Sequence, residues 1–149
     1  MVYIMDTGVL LGYVRGAFYA KEIEKEYSLL DPTNYVLVSI VTLGEIYSIA
    51  YQRKWGPRKL GDLHTLVAKI PWIGIDNLEL VQKYAEIDAF SQGKGATPLP
   101  KGISSRNMGK NDLWIAATTA LLQGTLITTD RDFEHLNRSF FTVIQVNPK

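Results

Sequence analysis

Two patterns of apolar and polar positions alternate along the chain. Short continuous apolar runs are typical of strands buried on both faces, and they predict strands at residues 1–5, 35–40, 72–75, 125–128 and 140–146. Segments with apolar residues at every third or fourth position are typical of amphipathic helices. They predict helices at residues 7–14, 17–30, 42–53, 57–70, 77–92 and 111–123, and a short one at 130–136.

Strands that alternate with helices, and that lack a polar face, favour one architecture. They predict a parallel sheet covered on both sides by helices, because parallel strands need crossover connections. The 149 residues are enough for one domain with a substantial core. No internal repeat or linker divides the sequence, so residues 1–149 are expected to form a single domain. Trp72, in the third predicted strand, is expected in the core.

The composition narrows the class of protein. The 46% hydrophobic and 21% charged fractions are ordinary for a globular chain. The absence of cysteine excludes disulfide scaffolds, zinc–thiolate sites and cysteine nucleophiles, and it suits a reducing cytosol. No signal peptide or membrane-length apolar run is evident, so we expect a cytoplasmic protein that does not contact the membrane. A net charge of +1 means that any binding to nucleic acid must use local basic patches.

Four carboxylates fall near the predicted carboxyl ends of the strands. Asp6 follows the first strand, Asp130 follows the fourth, and Glu45 lies early in the helix after the second. Asp112 begins the alanine-rich helix, whose start should lie over the same edge because the helix returns the chain to the opposite edge. Open parallel sheets bind ligands at this edge, so the four side chains are expected to meet there.

Helix capping is the alternative explanation for these acids. An acid at a helix N-terminus stabilises the helix by about 0.3–1 kcal/mol, which would account for Asp6, Asp112 and Asp130 singly. The spacing of Thr42 and Glu45 matches a capping box. Convergence of all four on one edge, with Asp132 beside Asp130, is better explained by a cation. Carboxylates without histidine or cysteine suit Mg²⁺ or Mn²⁺ and not zinc.

Three stretches of the sequence resemble one known family. YIMDTGVLLGY (residues 3–13), SIVTLGEIY (39–47) and GKNDLWIAATTALLQGTLITTDRDF (109–133) resemble, in this order, the opening, middle and closing motifs of PIN-domain ribonucleases. The resemblance is strongest to the VapC-type toxins of toxin–antitoxin systems. It implies a three-layer α/β/α sandwich around a four- or five-stranded, mainly parallel sheet.

The resemblance also implies residue roles. Asp6, Glu45, Asp112 and Asp130 would be the catalytic acids that bind the metal, with Asp132 as a peripheral fifth carboxylate. Thr128 would be the hydroxyl residue that orients them, with Asn111 as a further candidate. The implied activity is Mg²⁺- or Mn²⁺-dependent cleavage of single-stranded or looped RNA. In-line attack of water on the phosphorus is expected to leave 3′-hydroxyl and 5′-phosphate ends. The implied partners are the RNA substrate, a cognate antitoxin protein and a second copy of the chain in a homodimer.

The loop at residues 93–110 is the candidate RNA-binding surface. It is longer and richer in glycine and proline than is expected for the compact toxins, and it holds no acid. Its basic residues, Lys94, Lys101, Arg106 and Lys110, could hold RNA phosphates beside the metal, or they could belong to a solvated mobile loop. Trp55, within the basic segment at residues 52–59, could stack on a base, or Arg53 and Lys54 of that segment could simply complement a helix C-terminus. His64 and His135 have no acid or serine partner at a telling spacing and are interpreted as structural or exposed.

The sequence therefore predicts a metal-dependent endoribonuclease, the toxin of a type II toxin–antitoxin pair. Two alternatives stay open at this point. One is a PIN-like nuclease that acts in RNA processing or on structured DNA. The other is a non-catalytic module that binds a partner segment in the same groove.

Overall fold

The computed structural model describes all 149 residues. Five strands form the sheet: β1 (Val2–Met5), β2 (Tyr35–Ser39), β3 (Trp72–Ile73), β4 (Thr125–Thr128) and β5 (Thr142–Gln145). The helices are α1 (Thr7–Arg15), α2 (Phe18–Tyr27), α3 (Ile40–Gln52), α4 (Pro57–Lys69), α5 (Leu78–Ser91) and α6 (Lys110–Leu121). A 3₁₀ helix covers Arg131–Leu136.

All neighbouring strands pair in parallel, in the order β3-β2-β1-β4-β5. The sheet is therefore open, with β1 at its centre. The prediction of a parallel sheet between two layers of helices is confirmed. Continuous apolar strands fit this sheet because both of its faces are covered.

The strands bury their side chains in two separate cores. Tyr3 and Met5 of β1 point into a core shared with α1, α2, α3 and α4, whereas Ile4 points into a core shared with α5 and α6. In β4, Ile127 joins the first core and Leu126 the second. This alternation places four helices on one face of the sheet and two on the other, which gives three layers.

The third strand is shorter than the sequence predicts. β3 ends at Ile73, and it lies at the edge of the sheet with only β2 as a neighbour. The prediction that Trp72 is in the core is wrong, because an edge strand has less cover and this side chain is 54% exposed.

The start of α3 also differs from the prediction. The helix begins at Ile40, directly after β2, and the hydroxyl of Ser39 caps it by accepting a 3.1 Å hydrogen bond from the backbone N–H of Val41. The predicted capping box is therefore wrong: Thr42 lies inside the helix, buried, and its hydroxyl has no hydrogen-bond partner. Glu45 does not cap α3 and is available for another role.

The central strands end side by side. Beyond the end of β1, the backbone N–H of Asp6 donates a 3.1 Å hydrogen bond to the carbonyl of Ile127 in β4. The first turn of α1 therefore starts beside the segment that carries Asp130. None of the helices combines the length and the apolar character that crossing a bilayer requires.

Candidate metal centre

Asp6 is the most buried of the candidate acids, at 4% exposed. Its Oδ1 caps α1 by accepting a 2.9 Å hydrogen bond from the backbone N–H of Val9. Its Oδ2 accepts a hydrogen bond from the hydroxyl of Thr128 at the end of β4. Asp6 therefore has the capping role that the sequence allowed, and it is also fixed against the neighbouring strand.

Glu45 reaches the same edge from α3. It lies on the second turn of the helix, is partly buried, and accepts a 2.7 Å hydrogen bond on Oε1 from the hydroxyl of Thr7. Thr7 is the first residue of α1, next to Asp6. Sequence reasoning did not assign a role to Thr7, although a hydroxyl residue directly after the first acid was a signal that could have found it.

Three carboxylates lie close enough together to share one ion. Asp112, Asp130 and Asp132 each offer an oxygen, and these three atoms lie within 4.8 Å of one another. Asp112 is the third residue of α6, while Asp130 caps the 3₁₀ helix by accepting a 2.9 Å hydrogen bond from the backbone N–H of Asp132. Asp132, which was expected at the periphery, thus lies in the group whose carboxylate oxygens are close enough to share an ion.

Burial and mutual repulsion disfavour the charged forms of two of these acids. Burial is the main cause that raises the pKa of Asp6 to about 6, with a smaller contribution from the charge of Asp130. Burial also raises the pKa of Asp112 to about 7, and the charges of Asp130, Glu45, Asp132 and Asp6 add to it. Asp112 therefore lies within electrostatic range of all four other acids.

No basic side chain balances this charge. The ion pairs in the structure, Lys83–Glu86 and Arg131–Glu134, involve none of the five acids. A group of carboxylates without a cation is unfavourable, and a hard divalent cation with oxygen ligands removes the repulsion. The donor set thus fits Mg²⁺ or Mn²⁺, and the absence of histidine and thiolate from the group argues against zinc.

The basic loop is only partly free. Lys94, Lys101 and Lys110 are exposed, and Lys110 begins α6, two residues before Asp112. Arg106 is partly buried, and its backbone N–H donates a 2.7 Å hydrogen bond to the carbonyl of Ser91. Met108 belongs to the second core, so the loop is anchored near its end rather than solvated along its whole length.

Two other side chains have structural environments. Trp55 is buried at 9% exposed, with the Lys59 ammonium 4.3 Å from its ring centroid, so it is not available to stack on a base. The buried His135 is held by Ser91, whose hydroxyl lies 2.7 Å from Nε2. That pair was not evident from the sequence because 44 residues separate its members.

Comparison with known proteins agrees with this geometry. A sequence model of the PIN domain family matches residues 3–139. The chain is 25% identical over 137 residues to Ribonuclease VapC1 of Haemophilus influenzae strain R2866, covering 91% of this chain and 92% of that protein.

Two solved structures share the fold. VapBC2 from Rickettsia felis, bound to a DNA fragment from its promoter, superposes with a TM-score of 0.75 at 17% identity and covers 99% of this chain and all of the matched one. VapBC-1 from nontypeable Haemophilus influenzae gives a TM-score of 0.72 at 21% identity, covering 97% and 98% of the two chains. With a family match that spans most of its length, and with the acids gathered at the edge of a parallel sheet, the chain belongs to the PIN domain family.

Proposed function

We propose that this protein is an endoribonuclease that depends on Mg²⁺ or Mn²⁺. The observation that carries the proposal is the group of three carboxylates, Asp112, Asp130 and Asp132, whose oxygens lie within 4.8 Å of one another and form no ion pair with a lysine or arginine. Asp6 and Glu45 extend the same site from β1 and α3. A divalent ion held there supplies positive charge to the phosphate and lowers the pKa of water.

The roles of the side chains follow from their contacts. Asp112, Asp130 and Asp132 are placed to hold the ion, while Thr128 keeps Asp6 turned toward the site and Thr7 does the same for Glu45. We assign Asp6, Glu45, Asp112 and Asp130 to the catalytic machinery, with Asp132 as a further ligand. Hydrolysis by in-line attack of water would leave 3′-hydroxyl and 5′-phosphate ends.

The relatives suggest the biological setting. One relative is named a ribonuclease, and the structural neighbours include a toxin–antitoxin complex from Klebsiella pneumoniae and VapBC complexes. We infer that this chain is the toxin of such a pair, with a cognate antitoxin, RNA as substrate, a homodimeric state and a cytoplasmic location. Lys94, Lys101, Arg106 and Lys110 are assigned to RNA binding.

Cleavage of single-stranded RNA by matched variants tests the proposal. Wild type should cut in Mg²⁺ or Mn²⁺ and stop in EDTA, and Asp112→Asn and Asp130→Asn should abolish cleavage. Glu134→Gln is the control, because Glu134 is an exposed acid near the cluster that pairs with Arg131 instead. All variants should unfold as cooperatively as wild type.

The same experiment separates the alternatives. Preferential cutting of structured DNA would identify a nuclease of a different role. Cleavage that survives Asp112→Asn would contradict the proposed metal site, and growth inhibition that survives it would contradict the enzyme proposal. Binding of a protein partner that ignores Mg²⁺ and EDTA, with no cleavage of any nucleic acid, would indicate a binding module.

A further inference from the structure

An open cavity of about 560 Å³ adjoins the acids, and most of the side chains that line it are uncharged. One face of α3 forms most of it, through residues spaced as helix neighbours: Val41, Gly44, Glu45, Ser48, Ile49 and Gln52. Thr7 and Asn111 complete the lining. The cavity is thus continuous with the proposed metal centre through Glu45 and through Asn111, the neighbour of Asp112.

The lining suits a neutral, flat, polar-edged group. It contains no lysine or arginine, and its one charge is the carboxylate of Glu45, so a phosphate is disfavoured. Val41 and Ile49 give it an apolar wall, while Ser48, Gln52 and Asn111 offer hydroxyl and amide groups. Pockets for small ligands are typically 300–1,000 Å³ with a few convergent polar groups, which describes this cavity.

The exposed side chains of Gln52 and Ser48 contact each other. Its Nε2 donates a 2.8 Å hydrogen bond to the hydroxyl of Ser48, one turn earlier on α3. This contact leaves the carbonyl oxygen of Gln52 and the hydroxyl hydrogen of Ser48 for another group. One acceptor beside one donor is the arrangement that reads the edge of a nucleobase.

Gly44 has no packing reason to be glycine. It is exposed in the interior of α3, its φ is not positive, and a Cβ added there would meet no atom within 4 Å. Glycine in a helix interior is destabilising relative to alanine, so an added methyl group at this position should stabilise α3. Gly44 lines the cavity, so that methyl group would also take up space inside it.

We propose that this cavity binds the nucleobase of a nucleotide flanking the cleaved phosphate, and so selects the sequence that is cut. The inference rests on the proposed ribonuclease function, because a phosphate at the acids brings its own nucleoside to the cavity beside Glu45. Gln52, Ser48 and Asn111 are the reading residues, and Gly44 sets the depth.

Gly61 provides a matched control for the test. It is the fifth residue of the 13-residue helix α4, as Gly44 is the fifth residue of the 13-residue helix α3. It is also exposed, with open space around an added Cβ, and it lies outside this cavity. Gly44→Ala and Gly61→Ala should therefore both raise Tm by about 2–4 °C through helix propensity.

Gly44→Ala and Gly61→Ala should differ in how they cleave RNA. In Mn²⁺, with a randomised single-stranded RNA library and sequencing of the cut ends, Gly61→Ala should match wild type. Gly44→Ala should lower kcat/KM by about tenfold at the preferred sites, since one extra methyl group in a pocket that holds a substrate group has an effect of this size. Gln52→Ala should change the preferred base at one position next to the cut.

Two outcomes separate this inference from the proposed function. If wild type cuts RNA and Gly44→Ala and Gln52→Ala cut it at the same sites and rates, the base pocket is wrong and the nuclease stands. RNA binding in EDTA supplies the other comparison. If wild type cuts no RNA, yet binds the library more tightly than Gly44→Ala while Gly61→Ala binds normally, the pocket stands and the nuclease falls. Loss of protein-partner binding alone in Gly44→Ala would assign the cavity to a peptide and overturn the inference.

Discussion

The hydroxyl of Thr128 donates a hydrogen bond to Oδ2 of Asp6, although 122 positions separate the two residues in the sequence. The same hydroxyl oxygen accepts a 2.9 Å hydrogen bond from the backbone N–H of Asp130. One buried side chain thus connects the carboxylate of the acid after β1 with the backbone of the acid after β4, and it holds the two segments side by side.

Thr128→Val should weaken metal binding although all five acids remain in place. The hydrogen bond from Thr128 lowers the pKa of Asp6, so its loss should raise that pKa further and move the acid limb of the activity profile to higher pH. Affinity for Mn²⁺ should fall by about 10–100-fold, as for other residues that orient metal ligands. Thr128→Ser, which keeps the donor, should stay close to wild type in calorimetric titration and in the pH profile. If Thr128→Val and Thr128→Ser gave the same pH profile and the same Mn²⁺ affinity, the proposed role of the Thr128 hydroxyl would be wrong.

Much of this arrangement could be predicted from the sequence because of how parallel sheets work. Buried strands appear as continuous apolar runs, and an acid directly after such a run must lie at the carboxyl edge. The sequence therefore predicts that Asp6 and Asp130 lie at this edge. The register of the sheet then determines which residues meet. Because Met5 pairs with Ile127, the residues that follow them, Asp6 and Thr128, lie next to each other.

Other features depend on contacts that no local pattern encodes. Thr42 and Glu45 have the spacing of a capping box, but Ser39 precedes them and caps the helix. The local sequence therefore offered two possible N-cap residues and did not decide between them. Trp72 lies in an apolar run, and only the strand order shows that it is at an edge. The approach of Asp132 to Asp112 depends on how the second core brings α6 and the 3₁₀ helix together, which spacing does not determine.

Asp112→Asn should stabilise the protein in EDTA and destabilise it, relative to wild type, in Mn²⁺. The folded pKa of Asp112, about 7, exceeds the ordinary value of 3.8, so the folded state binds more protons between these values. Wild type should therefore lose stability as pH rises from about 4 to 7 and change little above.

Asp112→Asn should not lose stability in this way, because asparagine does not titrate. Because the side chain is partly exposed, we expect a gain at pH 8 of roughly 1–2 kcal/mol, smaller than the pKa shift alone implies. Mn²⁺ should stabilise wild type by mass action and leave the variant unchanged. Thermal unfolding from pH 4 to 8, with and without Mn²⁺, measures both effects. Glu134→Gln should follow wild type; a variant that is less stable than wild type in EDTA at pH 8 would contradict the account.

Gly12→Ala should destabilise the protein, in contrast to alanine at Gly44. A Cβ at Gly12 would collide with the ring of Tyr19, which packs across α1 from α2. The Tyr19 hydroxyl also donates a 2.8 Å hydrogen bond to the carbonyl of Gly8, in the turn that Asp6 caps. Overpacking costs about 1–3 kcal/mol, and denaturant unfolding should show this loss for Gly12→Ala. Combining Gly12→Ala with Tyr19→Ala should relieve the collision, so additive losses would refute it.

Ser91→Ala should cost about 1–3 kcal/mol, because it leaves Nε2 of the buried His135 without its partner. Ser104→Ala, in an exposed loop position, is the control and should change stability little. Burial, and secondarily the charge of Arg106, lowers the pKa of His135 to about 4. Folding therefore favours the neutral ring, and this contribution is complete above pH 6.5 and lost as pH falls toward 4.

His135→Gln should remove that acid dependence. The amide can still bond to Ser91 but does not titrate, so wild type should lose more stability than the variant between pH 6.5 and 4. The acids at the metal centre change stability in the opposite direction over this range, but they are common to both proteins and cancel in the difference. Denaturant unfolding of both proteins in EDTA at pH 4, 5 and 6.5 gives this difference directly. If it is constant across the range, His135 is not buried as a neutral base.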